Sequence, residues 1–275
     1  MIFRIISHDI ALKAYVKSMW LIEHDSDISE ENYTFQEYIT FASAFPTLVF
    51  QMKGEDFLLT SLSKKSEFIP RNHFTGIIKR PIDIASRGSF ALFGISFYPH
   101  VFKSLFNMDP KDTIDQIIDL NEVLPKQSFN SFFNGFSELD QLKEKVTHLL
   151  KELVKDNIQI DPFLEASISF ILINKGQVSI DELARYLGYS VRHVERIFKK
   201  YIGISPKEYS NLLRFQNTIN LSHIKEENNL TQLATFFGYS DQSHFIREFK
   251  KFTTLKPKDY FFNDENIGVG FVKYM

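Results

Sequence analysis

Polar side chains recur at helical spacing in two stretches of the C-terminal third of the sequence. In residues 191–201 and again in residues 242–252, apolar side chains every three to four positions form one helix face and turn the polar ones to the other. The outward residues are Arg192, Glu195, Arg196 and Lys199 in the first stretch and Gln242, Ser243, Ile246, Arg247 and Lys250 in the second. Such a face can hydrogen-bond to base edges and phosphates in a DNA major groove. A solvated charged surface is the alternative for one such helix.

These stretches belong to an internal repeat, with unit one over residues 179–209 and unit two over residues 229–260. Three motifs recur 50 or 51 residues apart: Gly-Tyr-Ser from 188 and 238, Phe-Lys-Lys from 198 and 249, and Pro-Lys-acidic-Tyr from 206 and 257. Unit two therefore has one additional residue after Gly-Tyr-Ser. Each unit reads as a short helix, a glycine turn and a second helix, which is the pattern of a helix-turn-helix. Two matched copies favour DNA recognition over a merely solvated face.

Capping signals predict where these helices begin and end, and Ser179 with Glu182 has the spacing of a capping box at the start of unit one. Gly188 and Gly238 suit the left-handed residue that ends a helix, and Ser190 and Ser240 follow as the expected N-caps of the polar helices. A helix N-terminus and nearby lysines are suited to phosphate contacts. The expected phosphate-contacting residues are Ser190, Lys199, Lys200, Ser240 and Lys250.

A longer helix is predicted between the two units. Ser205, Pro206 and Glu208 supply its N-cap, a proline at the first helical position and a capping-box acid, and the helix runs to about His223. About eighteen residues at ~1.5 Å each span about 27 Å. The polar helices would then lie near the ~34 Å of one DNA turn, so that one chain could occupy two successive major grooves.

Residues 1 to about 100 contain short aromatic and β-branched segments between turn signals, which predicts strands. The predicted strands are Ser18–His24, Phe35–Phe41, Thr47–Lys53, Asp56–Ser61, His73–Lys79 and Ser89–Phe97. After Pro99 the spacing becomes helical. The sequence therefore predicts an α+β fold of two domains. A β-rich domain with C-terminal helices covers 1–157, an all-α domain with two helix-turn-helix units joined by a long linker helix covers 158–262, and 263–275 form a tail.

Charge and composition narrow the possible functions. The 275-residue chain has a net charge of −2, but residues 177–262 hold 13 basic and 9 acidic side chains. A mildly basic C-terminal third suits a polyanionic partner. Cysteine is absent, which excludes disulfides, thiolate metal sites and cysteine nucleophiles. The longest charge-poor stretch, between Arg87 and Lys103, is too short to span a bilayer, and no signal-peptide pattern is present, so we expect a cytoplasmic protein without a membrane partner.

The C-terminal segment resembles the AraC/XylS family of bacterial transcription regulators over about residues 161–262. The motifs are LARYLGYSVRHVERIFKKYIGISPKEY, LLRF and LATFFGYSDQSHFIREFKKFTTLKPKDY. The resemblance implies double-stranded DNA as the partner and seven helices, with reading helices over Ser190–Tyr201 and Asp241–Phe252. The base-facing residues that it implies are Arg192, Glu195, Arg196, Gln242, Ser243 and Arg247, which the helical spacing also turns outward. Arg214, within LLRF, matches a family basic position that is expected to be structural or phosphate-facing.

Three positions depart from the family pattern. Thr254 stands where the family often has the glycine that Gly203 supplies in unit one, and Lys256 replaces the capping Ser205. Thr218 occupies a position that the family usually fills with alanine. The departures at Thr254 and Lys256 predict a weaker turn and a less firmly capped final helix in unit two.

The N-terminal segment is similar, less specifically, to the sensor half of one subgroup of these regulators. The similar pieces are AYVKSMWLIE, FPTLVFQ and FALFGISFYPHVFKSLF. Such halves bind a small effector or dimerise. An unidentified effector, a second copy of the chain and RNA polymerase are therefore candidate partners.

Two other functions compete with this interpretation. One is an enzyme in the N-terminal domain, but methyl transfer of the kind found in some family relatives needs reactive cysteines, and the N-terminal histidines form no His-x-His pair for a cupin-like metal site. Those histidines are His8, His24, His73 and His100. We expect no catalytic residue, no metal and no cofactor. The other is a protein-interaction module with vestigial helix-turn-helix units, against which Arg192, Arg196, Arg247 and the paired lysines argue.

Overall fold

The computed structural model describes residues 1–25, 35–60, 67–124, 138–155, 160–220, 230–261 and 271–273. The N-terminal part of the chain is β-rich and the C-terminal part is helical, so the predicted α+β class is confirmed. The strands are β1 (Ile2–Ile6), β2 (Val16–His24), β3 (Gln36–Thr40), β4 (Thr47–Lys53), β5 (Leu58–Leu59), β6 (Glu67–Phe68), β7 (Asn72–Thr75), β8 (Ile82–Ser86), β9 (Phe90–Phe97), β10 (Ile117–Asp119) and β11 (Phe271–Lys273).

The strands form two antiparallel sheets. A six-stranded sheet has the order β1-β2-β9-β4-β7-β10, and a five-stranded sheet has the order β11-β3-β8-β5-β6. Successive side chains of a strand point to opposite faces. In β9, accordingly, Phe93 and Ile95 pack on the helical side of the larger sheet, while Phe90 and Leu92 pack between the two sheets. Burial on both faces explains why this strand is apolar along its whole length.

Close packing between two neighbouring strands fixes the position of the Trp20 side chain. Trp20 on β2 pairs with Gly94 on β9, and a Cβ at Gly94 would lie 2.0 Å from the indole ring. The indole therefore occupies the space that a side chain at position 94 would need, and its N–H donates to the Ser96 hydroxyl at 3.2 Å. Any side chain at position 94 would displace the indole.

Helices cover one face of the larger sheet and then form the C-terminal part. They are α1 (Pro99–Phe106), α2 (Leu120–Val123), α3 (Leu139–Lys155), α4 (Pro162–Ile173), α5 (Ile180–Leu187), α6 (Val191–Tyr201), α7 (Pro206–Asn220), α8 (Leu230–Phe236), α9 (Gln242–Thr253) and α10 (Pro257–Phe261). Short 3₁₀ helices lie at Ile10–Leu12 and Pro110–Thr113. Among the described helices, none combines the length and apolar character needed to cross a bilayer.

Several predicted boundaries need correction. The strand over Thr47–Lys53 is confirmed, but only Leu58–Leu59 of the expected strand Asp56–Ser61 is extended within the described residues. The expected tail, 263–275, is wrong in part, because Phe271–Lys273 pairs with β3 of the smaller sheet. This strand forms by pairing with a segment far away in the sequence, so the residues around it carry no local pattern that predicts it. The predicted end of the linker helix near His223 lies outside the described residues.

The chain that follows β3 joins the two parts of the molecule. Phe41 is 5% exposed, and its ring lies edge-on to Phe215 on α7 and Tyr260 on α10, with centroids 6.3 and 5.6 Å away. The Ala42 N–H donates to the carbonyl of Phe252, at the end of α9, at 3.2 Å. One hydrophobic core therefore runs from the N-terminal part into the helical part.

Further contacts extend this junction along the linker helix and to unit one. The Gln216 side chain of α7 accepts from the Ala44 N–H at 3.2 Å and donates to the Ser43 hydroxyl at 3.3 Å. In unit one, the turn at Gly203 lies so close to the N-terminal part that an added Cβ would be 3.0 Å from Ile114. The N-terminal part thus contacts both helix-turn-helix units.

Candidate nucleic-acid interface

Unit one forms the helices and turn that its sequence predicts. At the start of α5, the Ser179 hydroxyl accepts from the Glu182 N–H at 3.2 Å, and the Glu182 carboxylate accepts from the Ser179 N–H at 2.8 Å. Gly188 ends this helix with φ +73°. The Ser190 hydroxyl then accepts from the His193 N–H at 3.3 Å and begins α6. The predicted capping box, glycine turn and serine N-cap are confirmed.

Helix α6 presents one polar face to solvent. Val194 and Phe198 are fully buried on its opposite side. The exposed residues include every one that the sequence turns outward, together with the second lysine of the pair: Arg192, Glu195, Arg196, Lys199 and Lys200. Four of these side chains therefore form one continuous face. Lys200 lies on the flank of that face, about 80° around the helix from Arg192.

Unit two begins its polar helix one residue later than expected. Asp241, and not Ser240, is the N-cap of α9: its carboxylate accepts from the His244 N–H at 2.7 Å. The additional residue after Gly-Tyr-Ser produces this shift. The Ser240 hydroxyl donates to the Asp241 carboxylate at 3.1 Å and also lies 3.1 Å from His244 Nδ1. Bonds from the His244 N–H and the Ser240 hydroxyl lower the pKa of Asp241, so this cap is ionised at neutral pH.

Helix α9 repeats the division of α6 into a buried and an exposed side. Phe245, Phe249 and Phe252 are buried, with 2% or less of each exposed. The exposed residues expected to approach DNA are Gln242, Ser243, Arg247 and Lys250. Ile246, also expected to face outward, is half-buried.

The family departures have visible consequences at the ends of helices. Thr254 adopts φ +65° at the end of α9, where Gly203 in unit one has φ +91°. A β-branched residue is strained in this region. In unit one the Ser205 hydroxyl caps α7 by accepting from the Glu208 N–H at 3.2 Å. Lys256, at the equivalent place, has no side-chain oxygen to do so.

Arg214 has a structural role. Its guanidinium, on α7, lies 2.9 Å from the Glu248 carboxylate on α9 and 3.0 Å from the Asn211 side-chain oxygen, and it donates to the Gly238 carbonyl at 3.2 Å. It also lies 4.5 Å from the ring centre of Tyr239. The side chains of the ion pair are each 13% exposed, so this arginine connects helices instead of offering its charge to a phosphate.

Two histidines that the sequence analysis did not single out, His193 and His244, lie in equivalent positions of α6 and α9. His193 stacks on Tyr189 with ring centres 4.7 Å apart, and His244 meets Tyr239 edge-on at 5.5 Å. Both histidines are half-buried in the first turn of their helices. The 51-residue repeat relates them, so comparison of the two units would have found them.

Comparisons with known proteins match the two parts separately. A model described as a helix-turn-helix domain matches residues 183–262, and one described as a domain of unknown function, DUF6597, matches residues 7–119. An uncharacterised HTH-type transcriptional regulator of Staphylococcus aureus is 31% identical over 84 residues, which cover 30% of this chain and 11% of that protein. The lactose operon transcription activator of Staphylococcus xylosus is 22% identical over 168 residues, 58% of each chain. This chain thus spans about a tenth of the length of the S. aureus relatives.

Solved structures match over most of the chain. ToxT from Vibrio cholerae strain SCE256, with unsaturated fatty acid bound, aligns with a TM-score of 0.52 at 15% identity, covering 90% of this chain and 96% of that one. This similarity shows a shared two-domain fold. The matched model and the geometry of the two units together show that the C-terminal part of this chain contains an AraC-type helix-turn-helix domain.

Proposed function

We propose that this protein is a sequence-specific DNA-binding transcription regulator that reads two neighbouring stretches of major groove with α6 and α9. A helix-turn-helix domain implies DNA binding. The observation that carries the proposal is the repetition of one design: each helix buries its apolar side within its unit and exposes an arginine at the equivalent place, Arg196 or Arg247.

Base-edge and phosphate contacts are assigned to different residues in this proposal. The base-facing set is Arg192, Glu195, Arg196, Gln242, Ser243 and Arg247, and the phosphate-contacting set is Ser190, Lys199, Lys200, Ser240 and Lys250. Phosphate contacts position a protein on DNA, and base contacts specify the sequence. Specificity would then come from the arginines and the glutamine, and affinity from the lysines and the start of α6.

The N-terminal domain is proposed to modulate DNA binding through an effector or a second copy of the chain. Buried apolar side chains fill the space between the two sheets, among them Phe57 and Phe90. A cavity of about 360 Å³ beside β10 is lined in part by Glu67, Asp119 and Glu122. These carboxylates disfavour an anionic group in that cavity. The fatty acid named for the V. cholerae structure supports a small effector for this chain, and the carboxylates of the cavity favour an uncharged or cationic one there.

Regulation of transcription further requires RNA polymerase as a partner and a location where the chromosome is accessible. A contact with RNA polymerase and a cytoplasmic location are therefore parts of the proposal. Activation and repression are both compatible with it.

Selection of binding sites from random DNA with the full-length protein tests the proposal, followed by titrations at two salt concentrations. Arg196→Ala should lose about 1–3 kcal/mol of discrimination at one base pair if its contact is bidentate. Lys199→Ala should weaken all sequences alike and reduce the salt slope by about one. Lys13→Ala, at an exposed lysine of the N-terminal domain, is the control. Binding that is equal for all sequences, or insensitive to salt, would contradict the proposal.

A further inference from the structure

The turn of unit two is held by side chains from outside that unit. The Gln177 side chain, two residues before the N-cap of unit one, donates to the Phe236 carbonyl at 3.2 Å. Arg214 of the linker helix donates to the Gly238 carbonyl at 3.2 Å. In the equivalent turn of unit one, no atom of the described residues lies within 4 Å of a Cβ added at Gly188, and the contact from outside is the ring of Phe163 on α4, edge-on to Tyr189 at 5.1 Å. Among the residues described, only the second turn thus receives hydrogen bonds on its carbonyls from side chains outside its unit.

Backbone packing fixes the place from which Gln177 reaches unit two. Gly176, directly before it, has φ +75°, and a Cβ there would lie 2.3 Å from the Ser210 carbonyl and 2.6 Å from the Arg214 nitrogen of α7. The segment before unit one therefore lies directly on the linker helix. A Cβ at Gly238 would in turn lie 2.6 Å from the Gln177 side chain. Linker helix, Gln177 and second turn form one contiguous stack.

The second tie runs from the linker helix to the reading helix itself. Arg214 pairs with Glu248 of α9 at 2.9 Å, and Asn211 donates to the other oxygen of the same carboxylate at 3.1 Å. Because this ion pair is largely buried, its geometry is restricted more than that of a surface pair. Glu248 precedes Phe249, a buried anchor of α9, by one residue. These contacts fix the rotation of α9 about its own axis relative to the linker helix α7.

We propose that Gln177 and Arg214 are positioning residues that set the relative placement of the two reading helices and so the spacing between the two DNA segments that the protein accepts. Neither residue touches DNA in this scheme. The inference rests on the proposed DNA-reading function for its effect on spacing, but the rigid placement is a property of the protein alone and can be measured without DNA.

The placement is tested with two spin labels in the full-length protein. Because the chain has no cysteine, Arg185→Cys on α5 and Gln232→Cys on α8 give one labelled site in each unit. Pulsed electron spin resonance should give a narrow distance distribution in the parent and a broader or displaced one after Gln177→Ala. Asn174→Ala is the matched control, because among the described residues that side-chain amide bonds only to the Phe170 carbonyl of the preceding helix, α4. An unchanged distribution after Gln177→Ala would overturn the role of Gln177.

Arg214 is tested by removing the pair without leaving a buried charge. The double variant Arg214→Met with Glu248→Leu avoids an unpaired buried carboxylate, which a single substitution would leave. It should broaden the distance distribution at least as much as Gln177→Ala. A folded double variant with the parent's narrow distribution would overturn the role of Arg214.

The effect on DNA is tested on a selected site and on the same site with one base pair inserted between its two halves. The insertion displaces one half by about 3.4 Å and rotates it by about 35°. The parent should lose about tenfold or more in affinity, as for loss of a major contact. Gln177→Ala should lose clearly less, with the parent's affinity order for base substitutions retained. An equal loss in both would overturn control of spacing, whereas failure to select any site would count against the proposed function and leave the spin-label result to stand by itself.

Discussion

Residues at the start of the two reading helices differ in charge, although the units are otherwise alike. The neutral Ser190 hydroxyl caps α6, while the ionised Asp241 carboxylate caps α9. A helix N-terminus attracts phosphates through its free N–H groups and its dipole. The carboxylate of Asp241 opposes that attraction, so the start of α6 is the better phosphate site.

Replacing this carboxylate should strengthen DNA binding. Serine caps helices about as well as aspartate, so Asp241→Ser should keep the stability of α9. Affinity for all DNA sequences should rise about fivefold at low salt, equivalent to ~1 kcal/mol for one charge near the surface. Asp161→Ser, at the N-cap of α4, is the control. A changed base preference, or no gain from Asp241→Ser, would contradict this account in binding titrations.

A buried histidine makes stability depend on pH. His100 on α1 is 7% exposed, neither ring nitrogen has a hydrogen-bond partner among the described residues, and burial lowers its pKa to about 4. The unfolded chain, with a histidine pKa near 6.5, takes up the proton first as pH falls. The stability contributed by the neutral ring is therefore complete above about pH 6.5 and is lost towards pH 4.

We expect the free energy of unfolding to fall by about 2 kcal/mol from this group between pH 7 and pH 5. His100→Phe should remove that part of the fall in urea titrations at the two pH values. Burial also lowers the pKa of His73 to about 4, so His73 would still make stability fall with pH in both the parent and the variant. The exposed His148→Gln is the control. An identical fall in His100→Phe and the parent would refute the assignment.

Elements were predictable from the sequence where local chemistry decides them. The apolar spacing of α6 and α9, the capping box at Ser179 and the glycine turn at Gly188 follow from neighbouring residues, and all are present. Strand β1 was missed because its exposed and half-buried residues show no alternation, and its backbone pairs with β2 alone among the described strands. The N-cap of α9 was misplaced because two adjacent polar residues, Ser240 and Asp241, could both serve.

The end of α9 offers a test at the scale of one helix. Thr254 has φ +65°, a conformation that costs an ordinary residue about 1–2 kcal/mol and that glycine adopts readily. Thr254→Gly should therefore raise the free energy of unfolding by about 1 kcal/mol after the greater entropy of glycine in the unfolded chain is included. Thr254→Ala keeps a Cβ and should recover little. A loss of stability in Thr254→Gly, measured by denaturant titration, would show that its hydroxyl bond to Thr253 matters more.

A shared hydrophobic core joins the N-terminal part to the helical part, and no local sequence pattern predicted it. The sequence predicted two domains, but contacts between distant segments, such as Phe41 with Phe215 and Tyr260, arise only in the folded chain. The exposed polar residues of α6 and α9, in contrast, could be predicted because they lie on one helix face each. The contacts of Gln216 with the chain after β3, and of Arg214 with unit two, could not be predicted from the sequence.

Weakening this junction should separate the unfolding of the two parts. Phe41→Ala should cost about 3–5 kcal/mol, as expected for a buried phenylalanine. Fluorescence of Trp20 reports the larger sheet, and helical circular dichroism reports mainly the C-terminal part. The two signals should change together in the parent and at different temperatures in Phe41→Ala. Coincident transitions in the variant would show that other contacts suffice for cooperativity.

Strand β11 gives the helical part a second tether. The chain leaves the β-rich part before α4 and returns when Phe271–Lys273 aligns with Tyr38–Thr40 of β3, the strand that leads into the contact with α9. The helical part is thus joined to β3 and the residues after it at two points, the pairing with β11 and the hydrogen bond from Ala42 to Phe252. A rearrangement that displaces β3 would weaken both contacts together. This one strand is therefore the place where a change in the β-rich part would be transmitted to the helical part.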